Sequence, residues 1–178
     1  MRKVVASHYL SLDGVAEQPT EFVTDWDAEV DEYGSRAMAS QDAVLLGRRT
    51  YDEWADFWPT SDIEPFASFI NDVEKYVATS TTPERTWANT TVIEGGLSEF
   101  VTDLKQQPGG DIGVLGSIAL TQSLLELGLV DELRLAIAPA LHMHGRKLFD
   151  KGLSRRLTLT RHSASPAGYL LLDYQVEG

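Results

Sequence analysis

The sequence predicts a single α/β domain, residues 1–178, with a mixed, mostly parallel eight-stranded sheet and helices on both faces. No long linker, low-complexity tract or internal repeat divides the 178 residues, a length that fits one domain. Short apolar runs alternate with helical patterns through the first two thirds of the chain, which is typical of a parallel sheet covered by helices. Two alternating segments near the end then indicate an antiparallel hairpin at the sheet edge.

Eight segments predict strands, because each is a short apolar run or an apolar–polar alternation bounded by turn residues. They are residues 3–9, 43–46, 76–79, 91–94, 112–115, 133–138, 156–161 and 169–176. Residues 43–46 are continuously apolar, which is expected of a strand buried on both faces. Residues 76–79 and 91–94 are predicted to be buried as well.

Five further segments predict helices, because their apolar side chains recur at helical spacing. They cover residues 26–37, 50–57, 65–73, 97–104 and 120–127. The apolar side chains of the first segment fall on one helical face; they are Trp26, Val30, Tyr33 and Ala37. Gly128 follows the last segment and is expected to end that helix.

The charge, the lack of cysteine and the lack of a long apolar stretch exclude several classes of function. With 27 acidic and 15 basic side chains, the net charge of −12 argues against nucleic acid and anionic membranes as partners. The chain has no cysteine, which removes disulfides, thiolate nucleophiles and cysteine-ligated metal centres. No stretch approaches the ~20 apolar residues of a membrane span. We therefore expect a cytoplasmic protein that acts on a small molecule.

The strand at residues 112–115 runs directly through Gly116 and Ser117 into a predicted helix. Such a junction directs free backbone N–H groups and the positive end of the helix dipole at one place, which suits a phosphate group. The alternative is an ordinary strand–helix turn in which Ser117 caps the helix.

A second strand–glycine–helix junction lies at residues 47–50, which read Gly-Arg-Arg-Thr. Guanidinium groups bind phosphate through paired hydrogen bonds, and a bound anion would relieve the conflict between two arginines and the helix dipole. The alternative is a solvated basic pair, in which Arg48 and Arg49 form salt bridges with Asp52 or Glu53.

A hydroxyl cluster at residues 79–82, Thr-Ser-Thr-Thr, follows a third predicted strand. Open α/β sheets bind ligands at the carboxyl ends of their strands, so three such ends together favour a phosphate-bearing ligand. The sequence contains neither GxGxxG nor GxxxxGK[ST], and a standard Rossmann site or P-loop is therefore not supported.

Four aspartates in or before the first predicted helix are candidates for proton transfer. They are Asp13, Asp25, Asp27 and Asp31. The spacing of Asp27 and Asp31 places both on the same side of the helix. Partial desolvation would raise the pKa of such a carboxylate and let it hold or relay a proton. The alternative is a solvated acidic helix face.

Two histidines, His142 and His144, flank Met143 at a spacing that would place both on one face of a strand. Such a pair suggests metal binding, but no second cluster of Cys or His completes a site. We therefore predict structural or solvent-exposed histidines and no metal.

Several short motifs, taken in order, resemble one known family. Residues 11–14 (SLDG), 46–51 (LGRRTY) and 114–117 (VLGS) resemble the dihydrofolate reductase-like superfamily. Residues 130–135 (VDELRL) and 145–149 (GRKLF) are similar to the reductase domain of bacterial riboflavin biosynthesis and its small stand-alone relatives. The resemblance covers nearly the whole chain.

The resemblance implies a single-domain dihydrofolate reductase-like fold and an NADPH-dependent oxidoreductase. The implied reaction resembles that of 5-amino-6-(5-phosphoribosylamino)uracil reductase, with hydride transfer to a pyrimidine- or pterin-like substrate. The alternatives are a true dihydrofolate reductase and a non-catalytic nucleotide-binding protein of the same fold. Family analogy also implies a homodimer.

The resemblance further implies roles for individual residues. NADPH would contact Gly47, Arg48, Arg49, Thr50, Thr79, Ser80, Gly116, Ser117, Ile118 and Ala119. Asp31 matches the carboxylate that handles the proton in dihydrofolate reductases, whereas Asp13 and Gly14 match the turn beside the substrate in riboflavin-type reductases. Relatives usually carry a glycine-rich stretch at residues 141–145, where this chain reads Leu-His-Met-His-Gly.

Overall fold

One eight-stranded sheet organises the computed structural model, which describes residues 1–150, 152 and 154–178. The strands are β1 (Val4–Leu10), β2 (Gln41–Gly47), β3 (Glu74–Ala78), β4 (Thr90–Val92), β5 (Asp111–Leu115), β6 (Glu132–Ile137), β7 (Leu157–Ala164) and β8 (Leu170–Val176). Their spatial order is β4-β3-β2-β5-β1-β6-β8-β7. The pairs from β4 to β6 are parallel, and β8 pairs antiparallel with both β6 and β7.

Helices cover both faces of this sheet. They are α1 (Ala28–Ala39), α2 (Arg48–Phe57), α3 (Phe66–Asp72), α4 (Leu97–Gln106) and α5 (Ile118–Glu126), with short 3₁₀ helices at Pro19–Glu21 and Trp58–Thr60. Successive β2 residues point to opposite sides: Leu45 packs with α4 and α5, and Leu46 packs with α2 and α3. On the face of α2 and α3, α1 buries Val30 against β6 and β8. The predicted α/β class with a mixed, mostly parallel sheet is confirmed.

The predicted elements differ from the observed ones in two instructive places. The first helix begins after Asp27, two positions later than predicted, because the Asp27 carboxylate accepts the N–H groups of Glu29 and Val30 and caps α1. The strand predicted at residues 91–94 is present as β4, but it ends at Val92, and the predicted burial is wrong for Thr91 and Val92. β4 is the edge strand of the sheet, so Thr91 and Val92 are exposed there.

A buried histidine on β1 joins the central sheet to α5. The Nε2 atom of His8 lies 2.8 Å from the hydroxyl oxygen of Thr121, and both side chains are buried. Burial lowers the pKa of His8 to about 4, because the protein interior disfavours the charged imidazolium. His8 is therefore neutral in the folded protein at neutral pH.

In the part of the chain that the structure describes, every helix is too short or too polar to cross a membrane.

Candidate functional site

Parallel pairing brings the predicted phosphate-binding segments together at one edge of the sheet. Residues 79–82 follow β3, residues 47–50 include the end of β2, and residues 116–119 follow β5. Residues 11–14 follow β1, which is the next strand across. Because the carboxyl ends of these parallel strands point the same way, all four segments lie at what we call the carboxyl edge. Ligands of open α/β sheets bind at such an edge.

Ser117 connects the starts of two helices at the carboxyl edge. Its buried hydroxyl oxygen accepts the N–H of Gly47 at 2.7 Å and donates to the Thr50 hydroxyl at 2.9 Å. The expected alternative, in which Ser117 caps its own helix, is therefore wrong, because its side chain reaches across to α2. Neither α2 nor α5 has a side-chain cap at its N-terminus. Two sets of free N–H groups and two positive dipole ends thus meet at neighbouring strand ends.

Gly116 allows the starts of α2 and α5 to lie close together. Its φ is +66°, a left-handed conformation that side chains rarely adopt. A Cβ atom at this position would lie 3.1 Å from Trp54 Cζ2 and 3.2 Å from Thr50 Cγ2. A side chain at this position would therefore be strained and would require the Trp54 and Thr50 side chains to shift. Ile118 and Ala119 begin α5 immediately beyond it, with Ala119 exposed.

Arg48 is held by acidic and hydroxyl groups. Its guanidinium donates to Asp52 at 3.1 Å, to Glu84 at 2.7 Å and to the Thr81 hydroxyl at 2.9 Å. The alternative of a salt-bridged arginine is thus present, and Glu84 is a partner that sequence reasoning missed. No local signal marks Glu84, because it reaches Arg48 from the loop after the neighbouring strand. Such partly exposed ion pairs contribute little free energy, and another anion can compete with them.

Arg49 and the loop after β3 complete this side of the edge. Arg49 pairs with Glu53 at 3.1 Å and with Glu17 at 3.6 Å, so its salt-bridged alternative is also present. The Thr79 hydroxyl donates to the Thr81 carbonyl and accepts the Thr81 N–H, which shapes the turn after β3. Ser80 lies on this turn and is exposed.

Asp31 and Asp27 differ from the partly desolvated carboxylates that were expected. Asp31 is exposed on α1, where it accepts a hydrogen bond from the Trp26 indole N–H. The Trp26 ring packs against Tyr9 of β1, with ring centroids 5.3 Å apart. The pKa of Asp27 is lowered, mainly by a hydrogen bond from the Ala167 N–H, so the expectation of a raised value there is wrong. Of the two, only Asp31 has a carboxylate that is not committed to backbone groups.

Asp13 joins the loop after β1 to the loop after β6. Its carboxylate accepts the backbone N–H groups of His142 at 2.9 Å and Met143 at 3.2 Å, together with the Ser11 hydroxyl. These hydrogen bonds, above all the one from His142, lower the pKa of Asp13 to about 2. Gly14, with φ +87°, continues the turn and accepts the N–H of Leu148. Asp13 and Gly14 therefore shape the loops at this end of the carboxyl edge.

Comparison with protein families and relatives gives a consistent result. Residues 2–171 match the family model of the RibD C-terminal domain. The Bacillus subtilis (strain 168) protein YyaP, named only as uncharacterized, is 30% identical over 153 residues, which cover 83% of this chain and 80% of YyaP. Both matches extend over most of the chain, as the ordered motifs implied.

Solved structures with the same fold include reductases and related proteins. A Shewanella sp. PV-4 protein named for riboflavin biosynthesis has a TM-score of 0.76 at 17% identity, with 99% of both chains covered. A pyrimidine reductase-like protein from Corynebacterium diphtheriae has a TM-score of 0.69 at 17% identity, covering 99% of this chain and 92% of that one. Dihydrofolate reductase from Enterococcus faecalis, complexed with NADP(H), has a TM-score of 0.65 at 14% identity, covering 99% and 97%. The dihydrofolate reductase-like fold is confirmed.

Proposed function

The chain belongs to the RibD C-terminal domain family, and we propose that it is an NADPH-dependent reductase that transfers a hydride to a pyrimidine- or pterin-like substrate. The observation that carries the proposal is the pair of uncapped helix starts joined by Ser117 at the carboxyl edge. Family membership supports the reductase class, and the dihydrofolate reductase of the same fold is itself complexed with NADP(H), which supports this choice of cofactor.

The residues at the carboxyl edge fit a dinucleotide. Gly116 lets the start of α5 lie close to Thr50 and Trp54 of α2, and the helix begins at Ile118 and Ala119 without a side-chain cap. Backbone N–H groups at two helix starts would hold the pyrophosphate, because they are both unpaired and at the positive dipole ends. Ser117 would fix the spacing between the two helix starts. NADPH, when bound, supplies the hydride.

Asp31 is the proposed proton donor to the reduced substrate. Its carboxylate is exposed and is oriented by the Trp26 indole N–H. We propose that a bound substrate covers this carboxylate, so that desolvation raises its pKa at the moment when a proton is needed. The side chain of Tyr9, packed against Trp26, would form the floor of this part of the pocket.

Turnover tests the reductase proposal directly. We expect the protein to oxidise NADPH when given 5-amino-6-(5-phosphoribosylamino)uracil, and Asp31→Asn to lower kcat by about 100-fold or more, since general acid catalysis typically contributes ~10²–10⁴. Glu32→Gln, at the exposed neighbouring position, is the matched control and should leave kcat unchanged. The absorbance of the reduced nicotinamide provides the rate.

The same assay separates the alternatives. Turnover of dihydrofolate without turnover of the pyrimidine would identify a true dihydrofolate reductase. NADPH binding without reduction of any pyrimidine or pteridine would identify a non-catalytic nucleotide-binding protein. In either case the substrate named above would be the wrong one.

Arg48 and Glu84 are expected to affect NADPH affinity in opposite directions. Arg48→Ala should weaken binding about 10-fold, near the lower end for a charge-assisted hydrogen bond, because the Arg48 side chain is 34% exposed. Glu84→Gln should strengthen binding about threefold, since a phosphate no longer competes with a carboxylate for the guanidinium. Calorimetric titration with NADPH measures both changes.

Glu94→Gln, an exposed position after β4, controls for the change in net charge. It should leave the affinity for NADPH unchanged. If the NADPH affinities of all three variants followed only the change in net charge of the protein, Arg48 would not be a phosphate ligand.

A further inference from the structure

Two loops bring a glutamate and two histidines together beside the carboxyl edge. Glu21 Oε2 lies 3.2 Å from His142 Nε2 and 3.7 Å from His144 Nε2, and the three ligand atoms all lie within 4.8 Å of one another. Glu21 ends the 3₁₀ helix after β1, whereas both histidines follow β6. The sequence prediction of no metal rested on the lack of a completing group, and Glu21 supplies one from a distant part of the chain.

The two distances from Glu21 Oε2 are compatible with three ligand atoms around one metal ion. Ligand atoms at 2.0–2.1 Å around a tetrahedral Zn²⁺ lie about 3.3 Å apart, between the two distances measured from Glu21 Oε2. A hydrogen bond accounts for His142 only, because 3.7 Å from His144 is beyond normal N–H···O length. The two imidazole rings lie beside each other, with their centroids 3.9 Å apart.

Contacts within the protein hold His142 and the neighbouring backbone in place without any ion. Met143, between the two histidines, has a left-handed φ of +66°, which residues other than glycine rarely adopt. The Asp13 carboxylate accepts the N–H groups of His142 and Met143, and the Phe22 ring packs against His142 at 5.2 Å. Supporting groups of this kind orient metal ligands and raise metal affinity.

We propose that Glu21, His142 and His144 form a binding site for a divalent transition metal such as Zn²⁺. Two imidazole nitrogens and one carboxylate oxygen suit Zn²⁺ and its first-row neighbours rather than Mg²⁺ or Ca²⁺, which prefer oxygen ligands. Three protein ligands leave a coordination position for solvent or another ligand atom. His144 and Glu21 are exposed, so an ion can enter from solvent.

The site connects to the carboxyl edge through Glu17. One oxygen of the Glu17 carboxylate accepts the Arg146 N–H at 3.1 Å, and the other lies 3.6 Å from Arg49 at the start of α2. A bound ion would tie the loop after β1 to the loop after β6, which border the edge from the side of Asp13. The metal would therefore order loops beside the proposed substrate pocket, whatever reaction takes place there.

Zn²⁺ titration of the tag-free, chelator-treated protein tests the site without any nicotinamide or substrate. We expect a single Zn²⁺ per chain by calorimetry, with affinity reduced at least ~10-fold in His142→Ala, His144→Ala and Glu21→Gln. Co²⁺ should give visible absorption bands typical of nitrogen and oxygen coordination, which the variants lose. His162→Ala, an exposed histidine on β7, and Glu94→Gln are the matched controls and should bind as the unmodified protein does.

The variant set also distinguishes the proposed site from weaker arrangements. Full Zn²⁺ affinity in Glu21→Gln would mean that imidazoles alone hold the ion, and the three-ligand site would be wrong. Equal affinity in all variants, or no binding by the unmodified protein, would overturn the proposal as well. Glu21→Gln and His144→Ala change exposed side chains, so their melting temperatures without metal should equal that of the unmodified protein. A lower value would show that these side chains stabilise the loops without an ion, against the proposal.

Discussion

Gly116→Val is expected to weaken NADPH binding by about 100-fold or more, a loss of about 2.7 kcal/mol. A Cβ atom at Gly116 would already lie 3.1 Å from Trp54 and 3.2 Å from Thr50. A branched side chain must therefore push α2 away or fill the space in front of the two helix starts. Either change would disturb the backbone N–H groups that we propose as the binding site of the pyrophosphate. Calorimetric titration with NADPH measures the loss.

Gly128→Val is the matched control for this variant. Gly128 ends α5 with a φ of +69°, close to that of Gly116, but a Cβ there would meet only Arg155 Nη2 at 3.8 Å. Both variants carry the cost of a left-handed side chain, about 1–2 kcal/mol. Gly116→Val adds the close contacts with Trp54 and Thr50, so it should lose more stability than Gly128→Val. Only the Gly116 variant should lose NADPH affinity. Equal affinities would mean that the pyrophosphate binds elsewhere.

Acidification from pH 7 to pH 4 is expected to remove about 3 kcal/mol of folding free energy through His8 alone. The pKa of His8 in the folded protein, about 4, lies below the ordinary histidine value of 6.5, so the unfolded chain binds more protons in this interval. The contribution of His8 is complete above pH 6.5 and is lost as the pH falls towards 4. Urea unfolding at a series of pH values measures this slope.

His8→Gln should flatten the slope between pH 6.5 and 4, because an amide bonds to Thr121 without taking up a proton. His162→Gln, at an exposed position, should keep the full slope. Asp13 and Asp27 have lowered pKa values, so their stability contributions are lost only below about pH 4, outside this interval. An unchanged slope in His8→Gln would show that another group causes the acid sensitivity.

The fold could be predicted well because several strands are short, continuous apolar segments, which a local sequence pattern reveals. Residues 43–46 and 112–115 are apolar in every position or nearly so, and each lies in the middle of the sheet. The exposure of Thr91 and Val92 could not be predicted in the same way. Whether a strand is central or at an edge depends on its neighbours, and β4 has β3 on one side only.

The location of the candidate site was predictable, whereas its contacts were not. Gly116 and Ser117 stand out because a glycine between a strand and a helix is a local pattern. The hydrogen bond from Gly47 to Ser117, the pairing of Glu84 with Arg48, and the approach of Glu21 to the histidines all join distant parts of the chain. Such contacts follow from the packing of neighbouring strands and loops, which no short motif encodes.

The pairing of Arg48 with Glu84 makes anion binding at this guanidinium an exchange reaction. Because Glu84 belongs to the same chain, its effective concentration near Arg48 is high, and an incoming anion must displace it. A simple phosphate ion that binds Arg48 must break the ion pair between Arg48 and Glu84, so the net gain in free energy is small. A ligand that also reaches the two helix starts adds contacts without a competitor. An acidic protein can thus keep a basic group such as Arg48 paired with a carboxylate while no ligand is bound. It can still select an extended, multiply charged ligand.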